Sequence, residues 1–264
     1  MDGLLVIDKP MGWSSMDVVR RVRRAAGEGS ALTTQHPQLT SSSKHHNETQ
    51  PFNINPFAGG KKKLVKCGHA GTLDPLATGI VICCLGKATS LVEELMGLTK
   101  VYETEIDLSA FTATDDREGI REEVAVSSPP CEEKIKEALK KFIGTIEQRP
   151  PAYSAVHVGG KRAYQLARAG KKVETTVKKI RIDEIELLSY LWPMLTLKIT
   201  CGRGTYIRSI ARDLGMALGT GGHLAGLRRT RVGPFRVEDA AKENRLNQPI
   251  TQADLLAWPV KNNP

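Results

Sequence analysis

A single carboxylate, Asp74, has the most chemically suggestive setting in the sequence. It lies in CGHAGTLDPLATG, residues 67–79, between a Gly-Thr-Leu run and a proline, five residues after His69. Gly71 permits a tight backbone path, and Pro75 fixes its own φ and offers no N–H. The proline also disfavours helical geometry at Asp74 itself. The stretch therefore predicts an extended, rigid loop with the acid at its edge, where a carboxylate can act as nucleophile or general base. Taken alone, it fits an acid that merely organises an Asx turn at least as well.

Three more stretches carry residues able to act on a nucleic acid. In CGRGTYIRSIARDLG (201–215) a strand ends at Cys201, glycines 202 and 204 loosen the turn, and Tyr206 and Arg208 open a helix. Tyr206 offers a ring for stacking on a base, and Arg208 a partner for a buried carboxylate or a phosphate. A core tyrosine and a surface arginine are the plainer alternative. In KVYETEIDL (100–108) Tyr102 begins a strand, where a core tyrosine is the first reading. In HLAGLRRTRVGPF (223–235) Leu227 reads as core and Arg228, Arg229 and Arg231 as charge for a phosphate backbone, while His223 reads as a structural hydrogen-bonding histidine.

The bulk properties narrow the chemistry. The 264-residue chain carries a net charge of +9, with 40% hydrophobic and 25% charged residues. Between Arg203 and Arg236 stand seven arginines, no lysine and one acid, Asp213. Such concentrated guanidinium charge points to a polyanion, nucleic acid first. The sequence has no GxxxxGK[ST], no GxGxxG after a strand, no HExxH and no GxSxG, so neither a nucleotide cofactor nor a metal is expected. Five cysteines without a CxxC pair do not suggest structural zinc, and Cys83 and Cys84 in GIVICCLG read as buried strand residues. No apolar run is long enough for a membrane span, and the amino terminus does not read as a secretory signal, so a cytoplasmic protein is expected.

These residues need a scaffold. LLVI near the amino terminus predicts a strand, followed by a helix over 16–26 that Ser14 or Ser15 can cap, with Asp17 in its first turn. Residues 27–63 are rich in Ser, Thr, Asn, Gly and Pro without periodicity, and predict a disordered or surface insertion. GIVICCLG predicts a strand, and ATSLVEELMG a helix capped by Thr89 or Ser90. VYETEIDLSA alternates as a half-buried strand, and residues 131–143 place Ile135, Leu139 and Phe142 on one helical face. AYSAVHV reads as a strand, RAYQLARAG as a helix ending at Gly170, and KKIRIDEIELLSY and LTLKITC as two strands. TYIRSIARDLGMAL stripes Ile207, Ile210, Leu214 and Leu218 onto one helical face, and QADLLAWPV suggests a short terminal helix. Strands and helices do not alternate as βαβ units. A single α+β domain with a mixed, largely antiparallel sheet flanked by helices is expected.

Together the stretches resemble the TruB-type tRNA pseudouridine synthases, which isomerise uridine-55 in the TΨC arm of tRNA. The matching segments are LLVIDKPMGWSS, GHAGTLDPLATGIVICCLGKAT, KVYETEIDL, TATDDREG, PPAYSAVHVGGKRAYQLARAG, CGRGTYIRSIARDLG and HLAGLRRTRVGPF. They cover nearly all of the chain outside 27–63 and the tail. The resemblance implies the pseudouridine synthase fold, no cofactor and tRNA as partner, with no membrane. It makes Asp74 the catalytic aspartate, Arg208 its partner, Tyr102 the active-site tyrosine and Tyr206 a second pocket residue. Leu227 would pack on the flipped uracil, and His69 would fill the space the uridine leaves. Lys9 and Pro10, of the DKP motif, would support the site. Arg228 and Arg229 join His69, Tyr206, Leu227 and Lys9 as the expected substrate-binding set, and a monomer is expected.

Three departures stand beside the resemblance. The chain ends at Pro264 and is expected to lack the small carboxy-terminal RNA-binding module that many members carry; 27–63 interrupts a connection that is usually short; and His157 stands where lysine is usual. Two rival readings are a catalytically silent RNA chaperone and a guide-dependent synthase working within a ribonucleoprotein.

Overall fold

The computed structural model describes residues 1–27 and 65–258; the insertion expected over 27–63 lies, apart from Gly27, outside the described residues. The strands and helices run β1 (Gly3–Lys9), α1 (Ser15–Gly27), β2 (Cys67–His69), β3 (Thr78–Leu85), α2 (Val92–Gly97), β4 (Lys100–Asp107), β5 (Ala110–Thr112) and β6 (Arg121–Glu123). They continue with α3 (Glu132–Lys140), β7 (Gly144–Gln148), β8 (His157–Val158), β9 (Lys161–Arg162), α4 (Ala163–Arg168), β10 (Lys178–Leu191) and β11 (Met194–Cys201). Last come α5 (Ile207–Leu218), β12 (His223–Val232), β13 (Phe235–Arg236) and β14 (Ala241–Lys242).

One sheet dominates, in the order β14-β1-β3-β12-β4-β11-β10-β7, with β13 beside β12 and β2 beside β3. Only β1–β14 and β3–β12 pair in parallel, so the sheet is mixed and largely antiparallel, as the element pattern predicts. β1 is buried along its whole length because both its faces are covered. Leu5 and Ile7 face the larger core with Val18, Val19 and Val22 of α1, while Leu4 and Val6 face a smaller core with Ile80, Ile82 and Leu95.

The helix over 16–26 is present as α1, and Ser14 caps it. Its hydroxyl accepts from Asp17 N at 3.1 Å while Ser14 N donates to Asp17 Oδ2 at 2.9 Å, a reciprocal cap that satisfies orphan donors of the first turn. Other boundaries differ from the sequence expectation. The segment after GIVICCLG opens with a 3₁₀ turn, Gly86–Leu91, and Thr89 and Ser90 donate back to the carbonyls of Gly86 and Lys87 instead of capping α2. AYSAVHV is not a strand: only His157 and Val158 pair, in a two-residue hairpin with β9 away from the main sheet. QADLLAWPV gives one 3₁₀ turn, Gln252–Asp254, after which Leu256 pairs with Leu4 as a bridge. Among the described residues no helix is long and apolar enough to cross a membrane.

Candidate active site

The Asp74 loop is pinned from both sides. Ser15, the first residue of α1, accepts from Leu73 N at 2.8 Å and donates to Leu73 O at 3.1 Å, so the residue before the acid is held by one hydroxyl. On the far side Gly12 N donates to Pro75 O at 2.8 Å, and Ala77 N to Asp74 O at 3.1 Å. The buried Lys9 ammonium donates to the carbonyls of Trp13 (2.7 Å), Pro10 (3.0 Å) and Pro75 (3.4 Å). Burial pulls its pKa down to about 8, against the opposing pull of the Asp74 charge. Lys9 thus ties the DKP turn to the Asp74 loop. As a substrate contact it is corrected: it is 0% exposed, and its donors go to backbone.

Asp74 keeps a third of its side chain exposed, and Arg208 Nε lies 3.0 Å from Asp74 Oδ2. Arg208 is itself buried. Its Nη1 donates to Thr114 O at 3.1 Å and lies 3.4 Å from Asp116 Oδ2, and its Nη2 donates to Tyr153 O at 3.0 Å. A buried guanidinium fixed at both ends presents one nitrogen to Asp74 with little freedom to turn away. Asp116 is in turn locked by Thr114, whose hydroxyl donates at 2.6 Å, and by Glu118 N at 3.1 Å.

Tyr102 on β4 faces Arg229 on β12 across one ladder and Ile199 on β11 across the other. Burial raises its phenol pKa, with Arg229 opposing, and the Asp74 charge reaches it too. Tyr206 immediately precedes α5. Gln148 clamps its backbone on both groups, accepting from Tyr206 N at 2.8 Å and donating to Tyr206 O at 3.1 Å. Its phenol pKa is also raised by burial, with Arg208 lowering and Asp74 raising it. Leu227 is half-buried on β12 and packs against the larger core. His69 ends β2, half-buried, with Nδ1 unpartnered and its pKa pushed down by burial.

The two arginines after Leu227 are not equivalent. Arg228 makes a two-pronged contact with Asp8, at 2.9 and 3.1 Å, and its side chain remains 36% exposed. Arg229, expected to hold substrate, is corrected: it is 1% exposed and donates to Ile80 O (2.8 and 2.6 Å), Gly71 O (3.2 Å) and Thr72 O (3.3 Å). The reason lies in the sheet. β3 pairs with β12 only at Thr78 and Gly79 and with β2 only from Cys83 onward. In the fork between them the guanidinium supplies the donors that a neighbouring strand would have given.

Several supports were not singled out from the sequence. Asp116 sits in TATDDREG, where two adjacent acids before a glycine read as an ordinary loop. Gln148 and Ser15 look like a strand end and a helix cap. Only the pairing of small hydroxyl residues with Asp116 in TATDD offered a signal.

Comparison with known proteins shows what the chain is similar to. Residues 60–207 match the model of the TruB family pseudouridylate synthase N-terminal domain, and 208–256 that of the tRNA pseudouridylate synthase B C-terminal domain. The chain belongs to the TruB family. A TruB-family relative, tRNA pseudouridine synthase B of Phocaeicola vulgatus, is 41% identical over 252 residues, covering 96% of this chain and 94% of that protein. The Thermobifida fusca protein of the same name is 38% identical over 273 residues, covering 98% and 81%. Among solved structures, a Cbf5-Nop10-Gar1 complex contains a chain that superposes with a TM-score of 0.61 at 26% identity. That match covers 93% of this chain and 54% of the other, so this TruB-family chain spans about half of that partner's length. The two family models meet between Ile207 and Arg208, inside α5, so their junction divides a continuous helix.

Proposed function

We propose that this protein isomerises uridine to pseudouridine in tRNA, at position 55 of the TΨC arm, with Asp74 as the catalytic carboxylate. The reaction breaks the N1–C1′ bond, turns the uracil, forms C5–C1′, gives up the proton at C5 and takes one up at N1. Atoms and electrons balance within the nucleoside, so the chemistry calls for no redox partner and no co-substrate. The observation that carries the reading is Asp74, one-third exposed and 3.0 Å from a buried arginine that is itself held by Asp116.

A uridine stacked within a folded loop must leave its stack to reach this carboxylate, at a cost of a few kcal/mol. Stacking on an aromatic ring returns about 1–3 kcal/mol per base, a role open to Tyr102 or Tyr206. Arg208 Nε, 3.0 Å from Asp74 Oδ2, orients the carboxylate. Attack at C1′, addition to the ring and a glycal route all begin from that carboxylate. Tyr102 keeps its proton at neutral pH, as an ordinary phenol does, and burial raises its pKa further, so it enters the reaction as a donor. It can take up the C5 proton only after its own has left. The enzyme acts as a monomer in the cytoplasm in this reading.

Tritium release from tRNA labelled at uracil C5 is the direct test. Wild type is expected to release tritium stoichiometrically with the target uridine, and Asp74→Asn to bind the same tRNA without release. Tight binding without release by the wild type would instead support an RNA chaperone.

A further inference from the structure

The loop over residues 10–13 forms one wall beside Asp74, since Gly12 N is bonded to Pro75 O and the Lys9 ammonium joins Trp13 O to Pro75 O. Two arginines lie against this wall, one to each side of Gly12. Arg117 Nη2 rests on the Met11 thioether at 2.9 Å. The Arg21 guanidinium lies over the Trp13 ring, 4.0 Å from its centroid. Both arginines are exposed, and so is Met11.

Neither arginine has a carboxylate within ion-pair distance among the described residues. The contrast is with Arg20, one position from Arg21, which pairs with Asp17 at 2.5 Å. A thioether and an indole face orient a guanidinium without neutralising it, and leave most of its N–H groups for another acceptor. Arg117 is also rigidly based. Its backbone N donates to Leu224 O at 2.9 Å, and it directly follows Asp116, the residue that fixes Arg208. A contact made by Arg117 is therefore registered to the Asp74 carboxylate through two residues.

We propose that Arg117 and Arg21 are the cations that seat the RNA strand on either side of the flipped uridine, taking its flanking phosphates. This rests on the assignment of the protein as an RNA-modifying enzyme and adds two residues to the substrate-binding set. In the free protein the guanidiniums are parked on Met11 and Trp13. With RNA present they turn their unused N–H groups to phosphate oxygens, and the wall between them faces the extruded nucleotide.

The test uses the full chain and a TΨC stem-loop RNA, with binding read by filter retention and chemistry by single-turnover tritium release. For Arg117→Gln, Arg21→Gln and the double variant, each lost phosphate contact is expected to weaken binding roughly 5- to 20-fold. The slope of log Kd against log salt should fall by about 0.7 per contact. The loss should appear in Kd more than in the rate at saturating RNA, and thermal unfolding should confirm an intact fold. Arg20→Gln, whose charge is already paired, should change the affinity and the salt slope least. Unchanged affinity and slope in both single variants would overturn the proposal, as would an equal effect of Arg20→Gln, which would mark a diffuse charge effect. A wild type that binds the stem-loop but releases no tritium overturns the assigned reaction instead, and the binding arm then still decides whether these arginines hold RNA.

Discussion

Arg229→Met separates a strut from a phosphate contact. Methionine keeps much of the stem's volume but removes every donor. The buried Ile80 carbonyl then loses both of its guanidinium contacts, at 2.6 and 2.8 Å, and the Gly71 and Thr72 carbonyls lose one each. A buried acceptor left without a donor costs about 1–3 kcal/mol, and the two carbonyls nearer solvent cost less because water can reach them. Relief of the guanidinium's desolvation offsets part of this. The net expectation is a loss of about 2–4 kcal/mol, which for a domain of this size lowers Tm by roughly 5–15 °C. Because Gly71 and Thr72 lead into Asp74, the loop should also loosen. A displacement near 1 Å at a reacting group can cost about 100-fold, so kcat should fall by roughly 10- to 100-fold while KM holds. Urea unfolding gives the first quantity and single-turnover tritium release the second. The reasoning is refuted if Tm is unchanged while KM rises and the salt dependence of binding weakens, since that is how a surface phosphate contact behaves.

Other outcomes follow from the same coordinates. Tyr102→Leu should fold with a loss of about 1–2 kcal/mol and reduce turnover more than 100-fold; wild-type turnover would remove Tyr102 from the chemistry. Gly79→Ala should destabilise by more than about 3 kcal/mol, because a Cβ there would meet Arg229 O at 2.2 Å and Gly79 already has φ +103°. An alanine variant with wild-type Tm would show that β3 and β12 do not approach so closely. Asp115, paired with Arg212 at 2.7 Å, has its pKa pushed by burial up to about 6 from 3.8. Between those two values the folded chain binds more protons than the unfolded one, so this group's contribution to stability falls as pH rises from about 4 to 6. Across that window the wild type should lose up to about 3 kcal/mol relative to Asp115→Asn. Parallel stability curves for the two proteins would contradict the shift.

The Asp74–Arg208 pairing was accessible from the sequence because it rests on local signals. GTLDP forces a loop, the Ile and Leu stripe of residues 207–218 forces a helix, and the family resemblance joins Asp74 to Arg208. What could not be read was the partner of each buried polar group, since that depends on strands brought together from distant parts of the chain. HLAGLRRTRV carries a glycine and three arginines, so it reads as a charged surface segment. It is in fact the strand between β3 and β4, and Arg229 is buried by the fork beside it. Asp116 escaped notice for a similar reason: its importance comes from Arg208, which lies far away in sequence. AYSAVHV failed as a strand because no neighbour lies alongside it, and an apolar alternation alone does not supply one.

The position of β12 also bears on how the chain is made. β3 and β4 leave the ribosome well before the strand that joins them, which follows only after α5. Until then their facing edges are open and can pair with another chain, the hazard of any unfilled slot in a sheet. Tyr102 and the Asp74 loop are held in register only when β12 arrives with Arg229. A nascent chain that has not yet delivered residue 229 therefore lacks the strand and the guanidinium that hold Tyr102 and the Asp74 loop in register.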